Sequence, residues 1–194
     1  VDPDSGAFGA LGHGINDVDT ALLMPLEEGT ILPATVVGVN KGQAGTPGQL
    51  KGSFDSSGFL GSLQANTSSG IFGQLENVNW ADGQAVEVAQ SSQVHTGKAT
   101  ILSNISGDQV EEYEIEIVKI FPDSQQDGRD YLITVTDQRL LETTGGIVQG
   151  MSGSPILQDG RFIGAVTHVL INDPSCGYGI SAQRMLSAAD KAAQ

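Results

Sequence analysis

The sequence predicts an all-β domain closed by a short C-terminal helix. Short runs of β-branched and aromatic residues recur along the chain, separated by Gly, Asn and Asp. Glycine outnumbers proline 26 to 7, a turn-heavy balance suited to many short strands. Helical composition is confined to the tail. At 194 residues the chain can bury one sizeable core, or build two small barrels that share one.

The elements follow in order. Residues 31–40 (ILPATVVGVN) read as a strand, and 62–73, rich in Ser, Gly, Asn and Gln, as a long surface loop. Residues 84–90 and 98–103 read as strands. In 111–120 the alternation puts Glu112, Glu114 and Glu116 on one face and Tyr113, Ile115 and Ile117 on the other. Residues 131–136 form the next strand. The runs 155–157 and 161–170 flank Gln158-Asp159-Gly160, and Asp-Gly between two β runs is a strong hairpin signal. Residues 177–180 supply a last strand. In 182–193, Met185, Leu186, Ala189 and Ala193 fall near one helical face.

Charge and composition narrow the function. Nine basic residues against 23 acidic ones give a formal net charge of -14, which repels phosphate backbones and anionic lipid. Nucleic acid is not an expected partner. No stretch approaches the ~18 apolar residues of a membrane span. The start, Val1-Asp2-Pro3-Asp4, has neither the basic residues nor the apolar run of a signal peptide, so the chain reads as a processed or trimmed domain. Cys176 is the sole cysteine and cannot form an intrachain disulfide. It lies in a turn-like stretch with no His nearby in sequence, and reads as a passive loop residue. The three His lack any ligand spacing, so neither a metal nor another cofactor is expected.

The chemistry points to Gly150-Met151-Ser152-Gly153-Ser154-Pro155. A nucleophilic serine needs a tight turn that exposes its hydroxyl, with backbone N–H groups beside it facing the developing oxyanion. Gly150 and Ser152 are the expected oxyanion donors, and Gly153 leaves room for the substrate carbonyl. Pro155 then starts a strand, followed by the hairpin, a strand containing Thr167-His168-Val169, the 177–180 strand and the helix. That order of events resembles chymotrypsin-like proteases. It implies a double β-barrel in which Thr167, His168 and Val169 pair with substrate backbone and wall the specificity pocket.

The nucleophile needs a base. His13 lies in an apolar, Gly-flanked stretch and precedes Ser152 by 139 residues. His168, on the substrate-facing strand, is its rival, with a pocket wall as the alternative role. His95 looks like a polar turn residue. Asp137, at the end of the 131–136 strand, suits a carboxylate that orients the base, and equally suits a strand-end cap. Asp17 and Asp19 lie so near His13 that they are expected to serve their own loop.

The residues Ser5-Gly6-Ala7-Phe8-Gly9-Ala10-Leu11-Gly12-His13-Gly14-Ile15, Asn40-Lys41-Gly42-Gln43-Ala44-Gly45-Thr46-Pro47-Gly48 and Thr136-Asp137-Gln138-Arg139-Leu140-Leu141 resemble the SpoIVB peptidase family. So do 143–155 (TTGGIVQGMSGSP), Gly164-Ala165-Val166-Thr167-His168-Val169, Asn172-Asp173-Pro174 and Gly177-Tyr178-Gly179. The resemblance spans nearly the whole chain. It implies a serine endopeptidase with His13, Asp137 and Ser152 as catalytic residues. It also implies a sporulation role: secretion from the forespore into the space between the two spore membranes, autocleavage, then cleavage of the regulator of a membrane-embedded processing protease. Activation of a late sigma factor follows.

Residues 1–194 are then one protease domain, with a membrane anchor and a PDZ domain expected upstream in the full-length protein, the PDZ domain acting as a partner. Asp137 stands only 15 residues before Ser152, unlike the chymotrypsin order, so Asp82 or another acid is an alternative partner for His13. Only 12 residues precede His13, too few for the strands that usually open a first barrel. The alternative function is a catalytically silent, protease-like peptide-binding or scaffold module. Oligomeric state is not readable.

Overall fold

The computed structural model describes residues 1–80, 83–121 and 128–192. The chain runs through β1 (Ala7–Ala10), β2 (Thr30–Ile31), β3 (Ala34–Asn40), β4 (Gln49–Phe54), β5 (Gly61–Thr67) and β6 (Gly70–Leu75). Then come β7 (Gly97–Ser106), β8 (Gln109–Ile120), β9 (Tyr131–Val135), α1 (Gln138–Thr144), β10 (Pro155–Gln158), β11 (Arg161–Leu170), β12 (Asp173–Ser181) and α2 (Ala182–Ala192).

The second half closes a six-stranded antiparallel barrel in the order β10-β11-β12-β9-β8-β7. Period-two alternation builds it: Tyr113, Ile115 and Ile117 of β8 and Tyr131, Ile133 and Val135 of β9 are buried, while Glu112, Glu114 and Glu116 face out. Ile101, Ile156, Ile163 and Val166 complete the same core. Closure comes from Ile156 opposite Ile101, and it gives every barrel strand a neighbour on both sides. Asp159 (φ 51) and Gly160 (φ 73) make the hairpin turn that their dipeptide predicts.

The first half is a four-stranded sheet, β1-β6-β5-β2, beside a separate β3-β4 ribbon. The all-β class and the C-terminal helix stand, and the double-barrel architecture is realised as one closed barrel beside this open sheet. The run 31–40 splits because Pro33 has no N–H to donate: β2 ends before it and β3 starts after it, in a different sheet. Residues 62–73 are not a loop. They form the β5-β6 hairpin, whose polar surface conceals buried Ile71 and Phe72. Residues 84–90 are not a strand, since among the described residues their backbone bonds the barrel only through Glu87 O and Ala89 N–H, both at Phe162. α2 joins the halves: Met185 packs with Ala165 and Ile180, and Arg184 Nη2 meets Asp130 Oδ1 at 2.7 Å.

Candidate active site

Ser152 sits in a tight turn before β10. Around it the backbone N–H groups of Gln149, Met151, Gly153 and Ser154 donate to Gly48 O, Val148 O, Val166 O and Met151 O, at 2.8–3.1 Å. Among the described residues, the N–H groups of Gly150 and Ser152 donate to nothing. Two idle donors flanking a serine hydroxyl are what an oxyanion pocket requires. Gly150 adopts φ 101, a left-handed conformation that glycine alone takes at little cost. At Gly153 a Cβ would lie 2.7 Å from Leu11 N, so the segment ahead of His13 rests directly on the nucleophile turn.

That segment positions His13. Leu11 (φ 66) and Gly12 (φ 71) swing the chain away from β1. A Cβ on Gly12 would sit 2.8 Å from the methyl groups of both Thr167 and Ile180. His13 follows, with its ring 5.5 Å from that of His168 and tilted 43° to it. His13 Nδ1 lies 2.9 Å from Gly14 O. The tautomer that makes this hydrogen bond donates from Nδ1 and leaves the Nε2 lone pair as the base. The Ser152 hydroxyl donates to Thr167 O at 3.0 Å, the residue before His168. Ser152 thus meets Thr167 and His13 meets His168, so both lie against adjacent residues of β11.

The Thr167 side chain supports the site rather than facing substrate: its buried hydroxyl reaches Gly128 O at 2.6 Å and Tyr178 O at 3.2 Å. His168 and Val169 pair with Tyr178 and Gly177 of β12 on one side. On the other side the β10 ladder ends with Pro155 opposite Ala165. Past Val166, that edge of β11 has no neighbouring strand among the described residues. An extended peptide fits such an edge.

Asp137 does not join this group. Its carboxylate caps α1, accepting Arg139 N–H at 2.9 Å and Leu140 N–H at 3.3 Å, and it takes Glu114 N–H and the Arg139 guanidinium as well. Burial pushes its pKa up, but these donors, Arg139 first, outweigh burial and hold it below the ordinary carboxylate value. Both oxygens are engaged, and His13 Nδ1 faces a carbonyl instead of an acid. Asp137 thus takes the strand-end cap position that its place in the sequence equally allowed, and a role toward His13 rests on the resemblance alone. Asp82, the alternative acid, lies outside the described residues. Asp17 serves its own loop, accepting from Thr20 N–H and Oγ1. His95 pairs with Asp159 on the surface at 3.0 Å. The Cys176 thiol donates to Asp173 Oδ2 at 3.4 Å and lies 3.3 Å from Thr134 Oγ1.

Residue-type reasoning assigned no role to the strap that shapes the oxyanion loop. Gly42 N–H donates to Thr144 O and Leu50 N–H to Gln149 O, both at 2.8 Å, beside the Gln149–Gly48 bond already described. Lys41 Nζ adds a bond to Glu142 O at 2.8 Å. The signal lay in the glycines at 42 and 48, where close backbone approach needs side chains removed.

Solved structures of similar fold include the protease Rv3671c from M. tuberculosis. An inactive mutant form has a TM-score of 0.51 and 15% identity, over 84% of this chain and 80% of that one. The active form has a TM-score of 0.48 and 14% identity, over 87% and 92%. No curated protein sequence matches the chain. The pattern of the SpoIVB peptidase S55 family matches residues 1–186, the nucleophile turn and the His13 segment both included. By that match the chain belongs to the SpoIVB peptidase S55 family and is a serine peptidase.

Proposed function

We propose that the chain is an endopeptidase in which Ser152 attacks and His13 serves as its general base. The Ser152 hydroxyl rotates from Thr167 O toward His13 Nε2 and gives up its proton as Oγ bonds to the substrate carbonyl carbon. The oxyanion is received by the Gly150 and Ser152 N–H groups. His13 then passes the proton to the departing amine, and water, activated by the same imidazole, releases the acyl group. Substrate backbone ahead of the scissile bond lies along Thr167, His168 and Val169. The pair of idle N–H groups around Ser152 carries this reading.

The family membership and the motifs described above support one biological setting for this activity. The protease acts outside the cytoplasm, between the two spore membranes. It cuts itself and then the regulator of a membrane-embedded processing protease, with its own PDZ domain as partner. Two measurements test the reading. A fluorophosphonate probe should label wild-type protein, and Ser152→Ala should lose labelling and cleavage by at least ~10³-fold. Undiminished autocleavage by Ser152→Ala rejects the mechanism. Failure of wild-type protein to cut the regulator's extracytoplasmic domain rejects the sporulation role.

A further inference from the structure

The β3-β4 ribbon is fastened to the oxyanion loop at one end only. Leu50 N–H donates to Gln149 O at 2.8 Å, and a Cβ on Gly150 would lie 3.0 Å from Leu50 Cβ. β4 therefore starts against an oxyanion donor and runs outward from it. Along a strand, successive residues turn their backbone groups to opposite edges. Leu50 turns its N–H away from β3, toward Gln149, whereas Asp55 turns its N–H inward to Pro33 O. Gly52 and Phe54 accordingly share the outer edge with Leu50. β3 is the neighbour of β4 in its sheet, on the other side. Gly52 has no side chain to obstruct approach. Phe54 is 73% exposed at the strand end, about 13 Å beyond Leu50 at ~3.3 Å per residue.

We propose that this outer edge of β4 binds the leaving-group side of the substrate, by strand pairing at Gly52 and Phe54 and apolar contact with the Phe54 ring. The proposal rests on the protease reading above. The nucleophile turn has β11 on one side, where Thr167 O takes the Ser152 hydroxyl, and the Gly150–Leu50 contact on the other. A chain laid along β11 with its carbonyl in the oxyanion pocket leaves past Gly150, toward β4. The edge that receives it is continuous with the active site. The substrate residues it selects are extended and apolar, several positions after the cut.

The test compares two substrates sharing one acyl sequence, selected from a random peptide library for cleavage by wild-type protein. One extends several residues past the scissile bond, and the other ends there in an aminocoumarin. Gly52→Pro removes an outward N–H without touching the bonds to β3, and Phe54→Ala removes an exposed ring. Each variant should lower the ratio of kcat/KM, long over short, about tenfold. A ratio unmoved by both variants overturns the proposal while fluorophosphonate labelling of wild-type persists. Loss of wild-type labelling itself overturns the protease reading, and this proposal with it.

Discussion

His13 Nδ1 meets the Gly14 carbonyl at 2.9 Å, and Asp137 is committed to α1. A carbonyl fixes tautomer and ring direction but stabilises an imidazolium less than a carboxylate does. Single-residue variants should separate these roles. His13→Ala should reduce Ser152 acylation by at least ~10³-fold with little loss of stability. Asp137→Asn should instead lower unfolding free energy by up to about 1 kcal/mol, because asparagine still caps α1 while the ion pair with Arg139 is lost, and slow acylation by under about tenfold. Urea unfolding beside probe-labelling rates reads both, and a larger catalytic than structural loss in Asp137→Asn would restore it to the catalytic set. The tight turn at Ser152 was legible because its requirements are local: a glycine and a following strand. Asp137 was not, because an acid after a strand is spelled the same whether it caps a helix or orients a base.

Turnover is expected to depend on the loop from Gly145 to Gly150, which carries one of the proposed oxyanion donors. Gly145 (φ 80) ends α1, and Thr144 is buried with its hydroxyl against Gly146 O at 2.5 Å. At Gly146 (φ 128) a Cβ would collide with the Pro174 carbonyl. Gly146→Ala should therefore displace the loop and its oxyanion donor. The expected result is a fall in acylation of at least ~10²-fold, the usual cost of one such donor, with the barrel still folded by circular dichroism. Normal labelling would show that the loop does not shape the site. Among elements, β7, β8, β9 and β10 were readable because each buries alternate residues. The β5-β6 hairpin was not, because Ser62, Gln64, Asn66 and Thr67 carry its polar side while the burial falls on Ile71 and Phe72. α1 was missed for a different reason: at seven residues it is too short to show a helical period.

At the scale of the whole molecule, acid should be the weak point. Asp130 is buried, which pushes its pKa up, but Arg184 and the Ser181 N–H together hold it below the ordinary value of 3.8. Asp137 is lowered in the same way. A carboxyl with a lower pKa folded than unfolded contributes stability that is full above its unfolded value and disappears as pH falls through its folded one. Melting temperature should thus hold from neutrality to about pH 5 and fall below about pH 4. Asp130→Asn should melt earlier at pH 7 yet show a shallower acid limb. An equally steep limb would place acid sensitivity elsewhere.

Barrel topology also sets when the enzyme becomes dangerous. β12 (Asp173–Ser181) is inserted between β11 and β9, so the cylinder holding Ser152 cannot shut before residue 181 is available. In a polypeptide leaving the ribosome the His13 imidazole emerges well before β12, and the Ser152 hydroxyl is seated only once that strand has followed it. Half-made copies cannot digest their neighbours.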